Sequence, residues 1–442
     1  MLLVVVLLLV LAVLGAVHWY VWRRLVRDVT APGGTPRRLG TAAVIVLPLL
    51  SVAALVSGRA DAPFLFQKVT AWPGFLWLAV LLYVVLALVV TEPLRPLLRR
   101  ALARRAAAEE REPVLVAADA PAGGTATVGG PEDVAPAAEG AIGPEDTPPA
   151  EGAVGPEAAP PAAAAPDLSR RLLVNRLVSG TAAAVALGTV GYGTYGVLRG
   201  PRVKRVTVPL AKLPRAAHGY RIAVVSDIHL GPILGRAHTQ RIVDTINATQ
   251  PDLVAVVGDL VDGTVADLGP AAEPLARLRA RDGAFFVTGN HEYFSGADAW
   301  VEHVRELGLR PLRNARVEIA AGFDLAGVDD VAGESIGEGP DFAKALGDRD
   351  RSRTAVLLAH QPIVIDEAVR HGVDLQLSGH THGGQLWPGN YLAELANPTV
   401  AGLERYGDTQ LYVSRGAGAW GPPVRVGAPS DITVVELASK QA

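Results

Sequence analysis

Leu377-Ser-Gly-His-Thr-His-Gly-Gly-Gln385 ends a short apolar run with two histidines and two glycines. Residues two apart on an extended segment project to the same side, so the imidazoles of His380 and His382 can face one point. Gly383 and Gly384 would let the backbone approach whatever lies there. A metal ion is the natural candidate, although a solvated turn with two incidental histidines also fits this stretch taken alone.

Four more polar clusters upstream each follow a short apolar or β-branched run. The five pairs of run and cluster are Ile222–Ser226 with Asp227-Ile-His229, Leu253–Val257 with Gly258-Asp259-Leu-Val-Asp262, Ala284–Val287 with Gly289-Asn290-His291-Glu292, Ala355–Leu358 with His360-Gln-Pro362, and Val373–Leu377 with the opening stretch. Helix-like segments separate the runs, which predicts an α/β unit. Because ligands collect outside the carboxyl ends of strands in such sheets, the clusters are expected to converge on one site.

The residue types of these clusters indicate the chemistry. Asp, Asn and His, in a chain with no cysteine, are ligands for divalent ions such as Mn, Fe or Zn. There are enough of them for two ions, with one carboxylate placed to bridge. A metal pair about 3.5–4 Å apart stabilises an in-line displacement at phosphorus and activates bound water near neutral pH. Phosphoester hydrolysis is therefore the favoured function.

The motifs D-x-H, G-D-x-x-D, G-N-H-E, a lone H and G-H-x-H, in this order, resemble those of the calcineurin-like metallophosphoesterases over roughly 221–437. Finer matches resemble the membrane-anchored bacterial branch related to UDP-2,3-diacylglucosamine hydrolases: Leu358-Ala-His-Gln-Pro362, Gly379-His-Thr-His-Gly-Gly-Gln385 and Ser414-Arg-Gly-Ala-Gly418, with Pro423, Arg425 and Pro429. The resemblance implies a calcineurin-like four-layer αββα sandwich, in which two packed mixed β-sheets are flanked by helices. That branch usually has one amino-terminal span or a twin-arginine signal.

The resemblance also implies a role for each site residue. One metal would be held by Asp227, His229 and His382, the other by Asn290, His360 and His380, with Asp259 as the bridge. His291 would protonate the leaving oxygen, and Asp262 would orient it; a helix or turn cap is the alternative for Asp262. Arg415 and Arg425 are candidates for bidentate contacts to substrate phosphate, with surface or ion-pair roles as alternatives. Glu292 is expected to support the site indirectly.

The hydrophobic fraction of 50% is high for a purely soluble protein, and the net charge of −3 gives no indication of nucleic-acid binding. Uncharged apolar runs predict membrane spans at Met1–Trp22, Leu39–Val56, Trp72–Thr91 and, with more Gly, Thr and Tyr, Leu177–Leu198. The predicted organisation is an all-α region of three spans over 1–105, a disordered Pro/Ala/Glu-rich tether with a 12-residue repeat over 106–168, a fourth span over 169–200, and a metallophosphoesterase domain over 201–442.

The distribution of Lys and Arg predicts the orientation. Five basic residues follow the first span and eight flank the segment between the third and fourth, against two after the second span. The positive-inside rule then places 23–38 and 92–176 in the cytoplasm, and both termini outside. The four basic residues within 199–205 oppose this arrangement. Ser169-Arg-Arg-Leu-Leu173 resembles a twin-arginine signal, but an ordinary basic membrane edge is the favoured interpretation.

The sequence thus predicts a multi-pass protein of the cytoplasmic membrane whose catalytic domain lies on the outer face. We expect it to hydrolyse a phosphodiester or pyrophosphate bond of a lipid-linked substrate, by attack of metal-bound hydroxide with a histidine as general acid. The bilayer and the phosphoester are the expected partners, and the oligomeric state stays open. A non-hydrolytic receptor or scaffold with a structural metal site and a protein phosphatase are the alternatives.

Overall fold

The computed structural model describes residues 1–60, 62–109 and 165–441. The helices are α1 Leu2–Trp22, α2 Thr35–Ser57, α3 Phe64–Thr91, α4 Leu94–Glu109, α5 Ala165–Leu198, α6 Arg236–Ala248, α7 Val265–Ala272, α8 Asn290–Ser295, α9 Ala297–Glu306, α10 Phe342–Leu346, α11 Ile365–Arg370 and α12 Gly389–Ala396. The strands are β1 Arg202–Leu210, β2 Tyr220–Val225, β3 Leu253–Val257, β4 Ala284–Val287, β5 Arg310–Pro311, β6 Ala315–Ile319, β7 Phe323–Gly327, β8 Thr354–Leu358, β9 Leu375–Ser378, β10 Gly402–Tyr406, β11 Thr409–Val413 and β12 Asp431–Ser439.

The twelve strands form two mixed sheets of six. The first has the order β1-β12-β2-β3-β4-β5 and the second the order β10-β11-β9-β8-β7-β6. In the first sheet β2, β3, β4 and β5 are parallel to one another, and in the second β11, β9, β8 and β7 are. The parallel strands bring their carboxyl ends to one edge of each sheet, where the polar clusters follow.

Two-residue periodicity explains how each strand is buried on both faces. Ile222 and Val224 of β2 point into a core shared with Leu325, Leu358 and other residues of the second sheet. Their neighbours on the opposite face of β2 pack against α6 and α9, and the outer face of the second sheet packs against α10 and α11. The layers are therefore helix, sheet, sheet, helix, and the predicted αββα sandwich is confirmed.

In the part of the chain that the structure describes, four helices are long and apolar enough to cross a membrane: Val4–Arg27, in which a π-helical turn continues α1, Thr35–Ser57, Phe64–Thr91 and Arg170–Leu198. The last three contain the predicted spans Leu39–Val56, Trp72–Thr91 and Leu177–Leu198, and the first overlaps the predicted span Met1–Trp22 from Val4 onward. Helix α3 begins before Trp72, the predicted start of the third span. The polar side chains of Gln67 and Lys68 interrupt the run of apolar residues in the sequence, but they do not interrupt the helix. Phe64, in this extension, packs against the core that covers the outer face of the first sheet.

Polar contacts join the helices at one end of this bundle. Arg24, after α1, forms an ion pair with Glu92, which follows α3, with an N–O distance of 2.9 Å. The hydroxyl of Ser179 in α5 donates to the carbonyl of Arg24 at 2.9 Å. These contacts lie at the C-terminal end of α3, so the N-terminal end of α3, which follows α2, is at the opposite end of that helix.

The described residues 93–109 and 165–175 belong to a second unit of the chain. Helix α4 lies in it, and Arg95 and Arg99 both donate to the side-chain oxygen of Asn175. The predicted tether over 106–168 lies outside the described residues, apart from its two ends, which are helical and belong to α4 and α5.

Candidate metal centre

The five polar clusters meet at the carboxyl ends of β2, β3, β4, β8 and β9. Three overlapping groups have ligand atoms that all lie within 4.8 Å of one another: Asp227 with His229 and His382, His229 with Asp259 and His291, and Asp259 with His360 and His380. Asn290 joins them, because its Oδ1 lies 3.0 Å from Nδ1 of His380. All seven predicted ligands are thus brought together.

Asp259 occupies the middle of this cluster. Its Oδ2 lies 3.1 Å from Nε2 of His360 and 3.8 Å from Nε2 of His229. On the far side of His229, Nε2 of His382 lies 3.0 Å from Nε2 of His229 and 3.3 Å from Oδ1 of Asp227. One carboxylate therefore faces imidazoles from both predicted ligand sets.

The donor set fits divalent cations. Nδ1 of His360 donates to the carbonyl of Val257 at 2.9 Å, so its Nε2 carries a lone pair. That Nε2 is buried without a hydrogen-bond partner among the described residues, and it faces a carboxylate oxygen. Nδ1 of His229 donates to Asp262, so the Nε2 lone pair of His229 likewise faces His382. A divalent cation placed between these imidazole lone pairs and carboxylates would be bound by both.

Burial and charge shift the pKa values of the imidazoles in different directions. Burial, together with the neighbouring positive imidazoles, lowers the pKa of His380 to about 4 and that of His382 well below its usual range. Burial also opposes the protonation of His360, but the charges of Asp259 and Asp227 raise its pKa well above the usual value. Neutral imidazole is the form that binds a metal, and a cation would replace the proton that His360 otherwise attracts.

Five of the predicted ligands have a left-handed backbone conformation. The φ angles are 52° at Asp227, 49° at His229, 53° at Asp259, 72° at His380 and 53° at His382. Such conformations are uncommon for residues other than glycine, cost about 1–3 kcal/mol each, and cluster at functional sites. The packed sandwich below the loops holds these residues in place.

Asp262 orients two histidines rather than one. Its Oδ1 accepts from Nδ1 of His291 at 2.7 Å and from Nδ1 of His229 at 2.8 Å. Burial raises the pKa of the Asp262 carboxyl, but the two imidazoles lower it to about 2. Burial likewise lowers the pKa of His291, whereas the hydrogen bond and charge of Asp262 raise it to about 9. Asp262 thus links the predicted acid to a predicted metal ligand.

Glu292 has a larger structural role than the sequence indicated. Its fully buried carboxylate accepts from the backbone N–H groups of Asp259 at 3.0 Å, Leu260 at 2.8 Å and Gly289 at 2.6 Å. It therefore fastens the loop after β3 to the loop after β4. The signal was present in the sequence, because a glutamate at the third position of a helix commonly binds backbone N–H groups at its start.

Aromatic neighbours of His291 were not predicted. The rings of Phe294 and Trp420 lie 5.6 Å and 5.8 Å from the imidazole, both edge to face. Phe294 lies three residues after His291 in α8, a spacing that places two side chains on the same face of a helix. Trp420 is distant in sequence, and no local pattern connects it to the site.

The glycines have different roles from those expected. A Cβ on Gly384 would lie 2.3 Å from the backbone of Asn390, so Gly383 and Gly384 admit neighbouring chain rather than a metal. The close approach to ligands is made by Gly379 and Gly289 instead. A Cβ on Gly379 would lie 2.4 Å from Oδ2 of Asp227, and one on Gly289 would lie 2.3 Å from Oδ1 of Asp259.

The two arginines predicted to hold phosphate are in different surroundings. Arg425 is buried, and its guanidinium donates to the carbonyls of Gly418, His382 and Ala428. This placement favours support of the His382 backbone over contact with a substrate. Arg415 is half-buried, and its Cγ packs beside Gly383.

Comparisons with known proteins agree with this geometry. A family model described as Calcineurin-like phosphoesterase matches residues 220–384. The chain is 40% identical over 264 residues to a Danio rerio protein named "Transmembrane protein with metallophosphoesterase domain", covering 57% of this chain and 60% of that protein. It is 38% identical to an uncharacterized metallophosphoesterase of Helicobacter pylori strain J99 (58% and 69% covered) and 35% identical to one of Aquifex aeolicus (54% and 92%). The chain thus spans about three-fifths of the zebrafish relative.

Replacing Gly289 by Ala should weaken metal binding about 10- to 100-fold, as loss of a contact that supports a ligand does. The added methyl group would displace the Asp259 carboxylate. Gly235→Ala is the matched control, because a Cβ there meets nothing within 4 Å. Competition with a chelator measures the affinity for Mn²⁺, and equal affinity in the two variants would contradict the proposed crowding.

Proposed function

We propose that this chain, which belongs to the calcineurin-like metallophosphoesterase family, is a metal-dependent phosphoester hydrolase, a membrane-anchored dinuclear enzyme that cleaves phosphodiester or pyrophosphate bonds. The observation that carries the proposal is the position of Asp259, with Oδ2 facing His360 on one side and His229 on the other. Asp227, His229 and His382 would hold one ion, and Asn290, His360 and His380 the other. Asp259 would be shared. Bound there, two Mn, Fe or Zn ions would supply positive charge to the phosphate oxygens and lower the pKa of water.

His291 is proposed to deliver the proton to the leaving oxygen. Its Nδ1 is held by Asp262, so the Nε2 edge is directed away from that carboxylate, and the residue lines a cleft beside the metal ligands. The carboxylate fixes the ring orientation, as a general acid requires. A receptor or scaffold with a purely structural metal site has no need for this Asp262–His291 pair, which favours hydrolysis over that alternative.

A lipid-linked substrate is supported by the surface next to the metal ligands. Helix α12 follows His382 closely, and it exposes large apolar side chains, among them Tyr391 at 59%, Leu392 at 71% and Leu395 at 85%. Trp387, just before α12, is half exposed, and its carbonyl accepts from the hydroxyl of Tyr83 in the spanning helix α3 at 3.0 Å. An exposed apolar helix beside spanning helices fits an interfacial location. A nucleotide lipid related to UDP-diacylglucosamine is the narrower candidate that follows from the resemblance.

Turnover should depend on added metal. The purified full chain should hydrolyse members of a panel of phosphomonoesters and diesters when Mn, Zn or Fe is added. Asp259→Ala should abolish this activity together with metal binding, because loss of a shared carboxylate affects both ions. Asp408→Ala, which removes a fully exposed carboxylate, is the control. Two metal equivalents in an inactive Asp259→Ala protein, measured by elemental analysis, would contradict the bridge.

His291→Ala should keep the metals and lower turnover by about 10²–10⁴-fold, the effect of a lost general acid. The loss should shrink for nitrophenyl esters, because a good leaving group needs little protonation. His218→Ala, at an exposed position, should behave as the wild type. An equal loss on esters with good and poor leaving groups would reject the assignment of His291 as the acid.

We further propose that the metal centre lies on the outer face of the cytoplasmic membrane. The counts of basic residues near the spans support this orientation. Reporters that are active on only one side of the membrane should give opposite signals when fused after residue 442 and within 110–164. Matching signals from the two fusions would contradict four spans.

A further inference from the structure

The cleft beside His291 has walls from two different parts of the chain. Its floor includes His229, Asp262 and His291. One wall comes from the loops around the metal ligands and includes Ile233, Phe294 and Trp420. The facing wall comes from spanning helices and includes Leu55 of α2, and Phe75 and Leu78 of α3.

Both walls carry large apolar side chains, and the helical wall also carries the polar side chains of Arg59 and Gln67. Phe294 is 70% exposed, Trp420 is 51% exposed, and Leu55 is 41% exposed. Phe75 is half-buried and lies within van der Waals distance of a Cβ built on Gly421, next to Trp420. Each Å² of apolar surface left in water costs roughly 25 cal/mol, so an apolar ligand between these side chains would be stabilised.

The cleft residues of α3 lie close to the start of the predicted span. The predicted span begins at Trp72, a residue type that favours the membrane interface. At 1.5 Å per residue, Phe75 lies about 5 Å and Leu78 about 9 Å farther along the helix axis. The helical wall therefore begins within two turns of the residue at which the predicted span starts.

The size of the cleft limits what it can hold. Its volume is about 300 Å³, at the lower end of the range for ligand-binding pockets. A phosphate and the first few carbons attached to it fill this space. The rest of a long chain would have to extend beyond the cleft, along α2 and α3.

We propose that Leu55, Phe75 and Leu78 form a substrate-binding wall, which packs against the apolar group esterified to the phosphate that is cleaved. This inference rests on the proposed phosphoesterase function and adds a site within the membrane helices. The spanning helices then select for a phosphoester with a long alkyl chain, besides anchoring the protein. The catalytic domain supplies the opposite wall through Phe294 of α8 and Trp420.

The test compares two diesters with the same leaving group, hexadecyl 4-nitrophenyl phosphate and methyl 4-nitrophenyl phosphate, hydrolysed by the full chain in detergent with Mn²⁺. Phe75→Ala and Leu78→Ala should lower kcat/KM for the hexadecyl ester about tenfold, since each buried methylene contributes about 0.8 kcal/mol and 1.4 kcal/mol is tenfold. The methyl ester should change less than about twofold, since it lacks those methylenes. Leu65→Ala, on the same helix but outside the cleft and 73% exposed, should match the wild type on both esters.

The outcomes separate the two proposals. Wild-type protein that hydrolyses neither ester with added metal would reject the proposed function, and the wall with it. Active wild-type protein whose ratio of the two kcat/KM values is unchanged in Phe75→Ala and Leu78→Ala would reject the wall alone.

A second measurement uses the wild-type chain, so it does not depend on the folding of a variant. Hexadecyl phosphate with a diazirine near its phosphate end is photolysed on the full protein, and the labelled peptide is identified by mass spectrometry. If the wall binds the alkyl chain, the label is expected on residues within 54–78. Labels confined to α1 or α5 would overturn the proposal.

Discussion

The electrostatic requirement of Asp259 determines the arrangement of the site. This buried carboxylate lies at the end of β3, with one oxygen facing His360 and His229 and the other accepting the backbone N–H of His291. Divalent cations bound here would satisfy the carboxylate and the imidazole lone pairs together. The loops from both sheets therefore have to meet at this point, and the parallel strands bring them there.

The backbone conformation of the loops depends on the rest of the fold. Five ligand residues have positive φ angles, and glycines at 289 and 379 leave just enough room for the Asp259 and Asp227 carboxylates. Glu292 fixes two of the loops to each other through three backbone hydrogen bonds. Apolar side chains are buried between the two sheets and under the helices on their outer faces. This burial stabilises the sheets, which hold the strained residues in place.

The ends of the strands and the convergence of the clusters could be predicted from sequence, because both follow from local periodicity and from the geometry of parallel sheets. β3 and β4 have the predicted bounds, and β2, β8 and β9 differ by a few residues. Other features could not be predicted, because they depend on contacts between different elements of the folded chain. They are the three backbone hydrogen bonds of Glu292, the second hydrogen bond of Asp262 and the packing of Gly384 against Asn390. The position of Leu55, Phe75 and Leu78 beside the site could not be predicted either, since their hydropathy marks them only as part of a predicted span.

The central claim is that two metal ions share Asp259. Electron paramagnetic resonance of the full chain loaded with two equivalents of Mn²⁺ tests it most directly, because two ions joined by one carboxylate are magnetically coupled. The account predicts the spectrum of a coupled Mn²⁺ pair, replaced by uncoupled signals or lost in Asp259→Ala. Two bound ions that give only the spectrum of isolated Mn²⁺ in the wild type would contradict it.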